Sequence, residues 1–232
     1  MSSFTDLHVV VTGATGALGA GVVDALLGAG AIVHAPIHEP EVPAHVPWRG
    51  RAGVHPTPLA TLDDEAEVTA YYASLPTLWA SIHLVGGFAM APLLATSLAE
   101  LRAQHTLNVV TTFLCCREAT RALRATGAGG RIVNVAARAA VVPTGGMSAY
   151  TSAKAAVVSL TQSLAMELAG DRILVNAVAP SLIDSPANRA AMPDADHAAW
   201  PTAAEIAAAI AFLASPANAL TSGAVVPVYG RA

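Results

Sequence analysis

A tyrosine and a lysine stand four residues apart in Tyr150-Thr151-Ser152-Ala153-Lys154. On a helix this spacing places the two side chains on one face, a turn apart. An ammonium beside a phenol lowers the phenol pKa from its usual ~10, so the phenol can exchange a proton nearer neutrality. A second stretch, Thr12-Gly13-Ala14-Thr15-Gly16-Ala17-Leu18-Gly19, joins an apolar β-branched run to an alanine-rich helical one. Small residues there let the backbone approach a pyrophosphate, whose charge the free N–H groups of the helix start would stabilise. The spacing is G-x-x-G-x-x-G rather than G-x-G-x-x-G, so its place at the first strand-to-helix junction carries the argument. The remaining reactive side chains point to no metal site. Cys115 and Cys116 are adjacent, which suits neither an ordinary disulfide nor metal spacing, and the eight histidines are scattered, with no HxH pair.

These two features need elements to hold them, and the pattern supplies an alternation. His8-Val9-Val10-Val11 reads as a buried strand, followed by a helix from Gly16 to Leu27 and a second strand starting at Ile32-Val33. Residues 36–58, rich in Pro and His, read as loops around a poor third strand near Gly53 to His55. A helix from Asp63 to Ser74 has acids in its first turn, where they complement the helix dipole. A fourth strand covers Ser81 to Val85, and one long helix runs from Leu98 to Ala125, stopped by Thr126-Gly127. A fifth strand (Arg131 to Val135), a helix (Thr151 to Leu168), a sixth strand (Ile173 to Val178), a helix (Ala203 to Leu213) and a last strand (Ala224 to Val228) follow. Such alternation predicts a single α/β domain over residues 1–232, with a parallel sheet of about seven strands covered by helices on both faces. No internal repeat or linker interrupts it.

Composition narrows the partners. The chain has 232 residues, 54% of them apolar and 12% charged, with a net charge of −4. Mean hydropathy is +0.53 and the pI is near 6.0. There is ample apolar surface to offset chain entropy, and no basic stripe to replace the counterions of a polynucleotide, so no nucleic-acid partner is expected. Alanine, roughly a fifth of the chain, inflates the apolar count, and no apolar run reaches the ~20 residues of a bilayer crossing. The N-terminus lacks a cationic region of the signal-peptide kind. A cytoplasmic protein with no membrane partner is expected.

A dinucleotide fold carries an acid after its second strand when the cofactor is NAD, because that carboxylate accepts from the adenosine ribose. Here the position is Ile37, which cannot accept, followed by His38, which could face a 2′-phosphate. The sequence therefore favours NADP, with NAD as the alternative.

With these motifs in order, the chain resembles the short-chain dehydrogenase/reductases over essentially its whole length. The matching pieces are TGATGALG at 12–19, Asn108, YTSAK at 150–154 and NAVAPSLIDSP at 176–186. The resemblance implies an NAD(P)-dependent oxidoreductase on a single Rossmann-type, doubly wound parallel sheet. It implies Tyr150 as general acid/base and Lys154 as the group that binds the nicotinamide ribose and lowers the tyrosine pKa. Asn108 would hold the water of the proton relay. The cofactor would be held by Gly13, Thr15, Gly16, Ala17, Leu18 and Gly19, then by Val85 and Gly86, and by Pro180, Leu182, Ile183 and Ser185. Ser185 stands where the family has a threonine, and Ser181 replaces the glycine after Pro180.

Two departures stand out. Thirteen residues before Tyr150, where the family has its catalytic serine, this chain has Ala137, and the usual N-N-A-G reads His83-Leu84-Val85-Gly86. Losing the serine removes a hydrogen bond to the reacting oxygen, which for an ordinary ketone costs about a few kcal/mol in the transition state. The dihydropteridine reductases resemble this pattern, with the G-A-L-G turn, an alanine at the serine position and an aromatic after Gly-Gly, here Gly86-Gly87-Phe88. They also resemble it in the loop at about 182–202, which contains Asn188, Arg189, Met192 and Trp200. A quinonoid or similarly conjugated substrate accepts hydride readily and depends less on a serine clamp.

The resemblance thus implies a small conjugated, quinonoid or pterin-like substrate, lined by Phe88, Ala137, Arg138, Asn188, Arg189, Met192 and Trp200. Arg138 would orient an anionic or heteroaromatic group. A general carbonyl or alcohol oxidoreductase is the alternative, and a non-catalytic NAD(P)-sensing module is the reading from another class. The helices at 98–125 and 151–168 are alanine-rich on more than one face, so a homodimer or homotetramer packed through them is expected.

Overall fold

The computed structural model describes residues 3–231. Seven strands form one parallel sheet: β1 (His8–Thr12), β2 (Ile32–Ile37), β3 (Val54–Pro58), β4 (Ala80–His83), β5 (Gly130–Val135), β6 (Ile173–Pro180) and β7 (Val225–Val228). Their order is β3-β2-β1-β4-β5-β6-β7, so the direction of winding reverses between β1 and β4. Ligands of open α/β sheets lie beyond the carboxyl ends of the strands at such a reversal. Prolines 56 and 58 sit in the edge strand β3, where a missing N–H is tolerated.

Eight α-helices cover the sheet: α1 (Ala17–Gly28), α2 (Glu65–Ala73), α3 (Leu98–His105), α4 (Thr111–Thr126), α5 (Arg138–Val141), α6 (Ser148–Glu167), α7 (Pro186–Ala191) and α8 (Ala203–Ala214). On one face, Val22, Val23 and Leu26 of α1 pack with Ile206, Ile210 and Leu213 of α8 over Val9, Val11 and Val33. On the other, Val68 and Tyr71 of α2, Leu114 and Leu123 of α4 and Ala165 of α6 close over Val10, Ile132 and Val175. Each fully buried side chain of this size contributes about 1.5–3 kcal/mol. Local signals start and stop the helices. Asp64 caps α2 through the Glu67 N–H, Thr202 and Glu205 form a capping box on α8, and Gly127 ends α4 in the left-handed region. Among the described residues no helix is long and apolar enough to cross a membrane.

Two segments depart from expectation. The single helix from Leu98 to Ala125 is instead α3 and α4 joined by a π turn at Thr106–Val110. Within it, Asn108 sends its side-chain amide back to the Gln104 carbonyl at 2.9 Å, and the Thr111 and Thr112 hydroxyls donate to the carbonyls of Leu107 and Asn108. Side chains competing for the helical carbonyls widen the turn. The Pro- and His-rich stretch after β2 is more than a loop around a weak strand: Val42, Val46 and Trp48 are buried in the core beneath α1. The Trp48 indole donates to the Ala14 carbonyl at 3.0 Å, tying this segment to the glycine turn.

Candidate functional site

The glycine turn leads from β1 directly into α1, and close packing explains part of its composition. A Cβ on Gly19 would stand 2.1 Å from the Gly13 carbonyl oxygen, so the helix can start here only with glycine at that position. Gly16, by contrast, meets nothing closer than 3.4 Å, and it and Ala17 are exposed at the helix start. The free N–H groups of that helix end face outward, where an anion would be stabilised.

Beside the turn lies a cleft of about 650 Å³ at the β1–β4 reversal, bordered by Gly13, Thr15, His38, Glu39, Asp63 and Val85. It collects the ends of β1, β2 and β4 together with the π turn. His38 is not free there, because its Nδ1 contacts the Ala60 carbonyl at 2.6 Å. Glu39, which sequence reasoning passed over, lines the same cleft and has a buried carboxylate oxygen, Oε2, with no hydrogen-bond partner among the described residues. A buried, unpaired carboxylate oxygen is costly unless a ligand donates to it.

Further along the strand ends, α6 presents Tyr150 and Lys154. Lys154 is buried and its Nζ donates to the Val135 carbonyl at 2.9 Å. A Cβ built on Gly86 would fall 3.1 Å from that Nζ and 2.6 Å from Asn108 Oδ1, so glycine here lets three segments converge. Asn108 is fully buried. It accepts from the Gly87 N–H at 3.2 Å and donates to the Gly87 carbonyl at 3.0 Å. The π turn is thereby clamped to the loop after β4, and the Asn108 side chain serves that clamp.

The electrostatics differ from the simplest expectation. Burial pushes the Lys154 ammonium down to about 8 and the Tyr150 phenol up to about 12. In the polypeptide alone the lysine therefore does not lower the phenol pKa. The buried ammonium finds the Val135 carbonyl, and the phenol pays for its own desolvation. Among the described residues no group hydrogen-bonds the Tyr150 hydroxyl. Phe88 stands edge-on to its ring with centroids 5.0 Å apart.

On the remaining side, Ala137 begins α5 and is buried, with no hydroxyl at the position next to Tyr150's helix. The Arg138 guanidinium lies over the Tyr229 ring, 5.2 Å from its centroid. Pro180 ends β6, and Ser181 bonds the Tyr229 carbonyl at 2.8 Å. Leu182 and Ile183 follow, half-buried. Ser185 caps α7 by accepting from the Asn188 N–H, and Asn188 donates to the Ile183 carbonyl. Arg189 forms a two-pronged pair with Asp184, Met192 is exposed, and Trp200 is buried against His197 with ring centroids 4.6 Å apart. The structure thus gathers Tyr150, Lys154, Asn108, Gly86 and Phe88 in one place. It ties Arg189 and Trp200 to contacts of their own.

A family model described as short chain dehydrogenase matches residues 7–196. The chain belongs to that family. This short-chain dehydrogenase is accordingly an oxidoreductase that uses NAD(P). It is 30% identical to the 2-(R)-hydroxypropyl-CoM dehydrogenase of Xanthobacter autotrophicus, over 95% of this chain and 96% of that one. It is 36% identical to the cis-4-hydroxycyclohexanecarboxylate dehydrogenase of Sinomonas cyclohexanicum, over 74% and 70% of the two chains. Among solved structures, a short-chain type dehydrogenase/reductase from Mycobacterium ulcerans superimposes with a TM-score of 0.90 at 26% identity, covering 99% of this chain and 90% of that one.

Sequence reasoning also missed a buried hydrogen-bonded chain beside the site. Thr161 donates to the Val157 carbonyl, so it can only accept from the Asn134 amide at 3.0 Å. That orients Asn134 Oδ1 toward His83 Nδ1 at 2.8 Å, which must carry the proton. His83 Nε2 then accepts from Ser81 at 2.8 Å, and Ser81 accepts from Tyr72 at 2.8 Å. Burial holds His83 down to about 4, consistent with a neutral imidazole. The two adjacent cysteines are buried thiols, and Cys116 donates to Asn134 Oδ1 at 3.4 Å. The visible signal was His83 at a position where the family has asparagine.

Proposed function

We propose that this short-chain dehydrogenase moves hydride between NAD(P) and a small conjugated, quinonoid or pterin-like substrate, with Tyr150 as the acid/base. The observation that carries the reading is the Tyr150 hydroxyl, unpartnered and one turn from a buried Lys154 that has N–H groups to spare. When bound, the nicotinamide supplies or accepts the hydride. In reduction the Tyr150 hydroxyl gives its proton to the substrate atom that gains negative charge, and in oxidation the phenolate takes it back. Lys154 keeps that phenolate from being uncompensated in a buried setting and offers its other N–H groups to a ribose. Asn108 holds the loop after β4 in register, and the exposed start of α1 receives the pyrophosphate. Ala137 provides no second donor, which suits a substrate whose conjugation spreads the developing charge. A general alcohol or carbonyl oxidoreductase is the second reading, and the alcohol dehydrogenases among the relatives favour it.

Glu39 bears on cofactor choice. Its bare carboxylate oxygen in the cleft suits donation from a ribose hydroxyl and would repel a 2′-phosphate. It pulls toward NAD, against the NADP preference inferred from Ile37 and His38. Glu39→Gln is expected to improve NADPH over NADH by roughly tenfold in fluorescence titrations, the worth of removing one repelling charge. No change would remove Glu39 from the ribose site.

We also propose a homodimer or homotetramer interface on α3, α4 and α6, where Phe113 and Met166 are exposed. A particle of one chain mass, 23.4 kDa, by light scattering would oppose it. The reaction itself is tested by NADH and NADPH oxidation with quinonoid dihydropterin against a panel of ketones. Absence of turnover with every acceptor would defeat the reading.

A further inference from the structure

The stretch between β2 and β3 is built rather than loose. The Val46 N–H meets the Pro43 carbonyl at 3.1 Å, the Arg49 N–H meets the Val46 carbonyl at 3.1 Å, and the Arg51 N–H meets the Trp48 carbonyl at 3.0 Å. The chain therefore winds in successive turns. Arg51 pairs with Asp24 of α1, and Val42 and Val46 belong to the core under that helix. These contacts fix Trp48, which is only 1% exposed and whose indole N–H donates to the Ala14 carbonyl at 3.0 Å.

That bond sets the direction of one peptide unit in the glycine turn. The described peptide bonds are all trans, and in a planar trans unit the N–H lies opposite the C=O. With the Ala14 carbonyl turned inward to a buried indole, the Thr15 N–H of the same unit is turned outward. Thr15 borders the cleft at the β1–β4 reversal, and its N–H has no acceptor among the described residues. The next N–H, that of Gly16, is already used on the Gly13 carbonyl at 3.1 Å. Thr15 thus adds one free donor to those at the start of α1, and it is oriented before any ligand arrives.

We propose that Trp48 is a positioning residue for the dinucleotide: through the Ala14 carbonyl it aims the Thr15 N–H at the pyrophosphate. The inference rests on the reading above that puts the pyrophosphate at the start of α1. It goes beyond that reading by assigning the aim of the turn to a side chain 34 positions away. A phenylalanine at 48 would fill most of the space but leave the Ala14 carbonyl unmet. The peptide unit could then turn, and the donor would lose its preorganisation.

Calorimetry with ADP-ribose, which carries the pyrophosphate, and competition with adenosine, which lacks it, test this. Trp48→Phe should raise the Kd of ADP-ribose roughly tenfold, the worth of one well-aimed hydrogen bond to a charged group. Adenosine affinity should stay within about twofold. A merely structural tryptophan would lower the melting temperature and leave the ratio of the two affinities unchanged, and that result would overturn the inference. Gly16→Asp tests the underlying reading separately. Gly16 has ordinary backbone angles and room for a Cβ, so the variant should fold and set a carboxylate against the pyrophosphate. It should weaken ADP-ribose by roughly a hundredfold. Normal binding there would defeat the pyrophosphate reading and this inference with it, whereas a defect there with normal binding in Trp48→Phe would overturn the inference alone. Should Trp48→Phe not fold, NMR of the unaltered chain decides. On adding ADP-ribose the Thr15 amide should move downfield while the Trp48 indole N–H stays protected from exchange, and an unmoved Thr15 amide would overturn the inference.

Discussion

Two buried polar clusters lie side by side at the carboxyl end of this sheet, joined through the neighbouring residues Asn134 and Val135. One, Tyr72–Ser81–His83–Asn134–Thr161, is closed: each donor has an acceptor, and the direction of every hydrogen bond follows from the last. The other, Tyr150 with Lys154, is open. Its lysine uses one N–H on Val135, and its phenol uses none. A closed network in a low-dielectric interior is rigid and holds its neighbours in one arrangement. An open one has capacity left for a ligand and pays for that capacity in desolvation, visible as a lysine pKa pushed down to about 8 and a tyrosine pushed up to about 12. The contrast separates groups that fix the strand ends from groups that act beyond them.

The sharpest test of the contrast is Tyr150→Phe. It removes only the hydroxyl, so turnover should fall by roughly 10² to 10⁴ while cofactor affinity stays within a few fold and the melting temperature barely moves. Undiminished turnover would remove the phenol from the chemistry. His83→Leu should do the reverse. It leaves Ser81 and Asn134 without their buried partner and should cost about 2–4 kcal/mol in urea unfolding, with kcat of the folded protein changed by less than about threefold. A large kcat loss at unchanged stability would mean that the closed chain takes part in the reaction.

The next effect is one of pH. Burial holds both His83 and His34 down to about 4, and neighbouring His8 and His55 add to the shift at His34. Their folded pKa values lie below the unfolded value of 6.5, so the unfolded chain takes up protons first as pH falls. Stability is therefore full above pH 6.5 and is lost progressively between 6.5 and 4, by about 3 kcal/mol for fully buried His83. Urea midpoints measured across that window should show a shallower slope in His83→Leu, and an unchanged slope would exclude His83 as a source. The smallest expected effect belongs to Ala137→Ser. For a plain ketone, a new donor beside Tyr150 should raise turnover by about threefold to tenfold, whereas a conjugated quinonoid should respond neutrally or slightly adversely through crowding. A clear loss with ketones would show that the alanine is needed for space.

The glycine turn at 12–19, the tyrosine and lysine pair and the order of strands and helices were all legible in the chain, because each is written in neighbouring residues. Backbone approach needs small side chains, one helix face needs a spacing of four, and an alternation of β-branched and alanine-rich runs leads to a parallel sheet. The end of α4 at Gly127 was legible for the same reason. Where the reading fell short, the cause was in most cases a partner far along the chain. Trp48 holds Ala14 across 34 positions, and His83 meets Asn134 across 51. Asn108 breaks a helix that its own sequence would have continued, through bonds to Gln104 and to Gly87. The fold alone also sets Arg138 over the Tyr229 ring and turns Glu39, which no sequence motif singled out, into the cleft. Periodicity and composition determine which elements form, since these depend on adjacent residues. Which polar groups are satisfied within the protein and which are left for a ligand depends on where distant segments come to rest, and only the tertiary structure decides that.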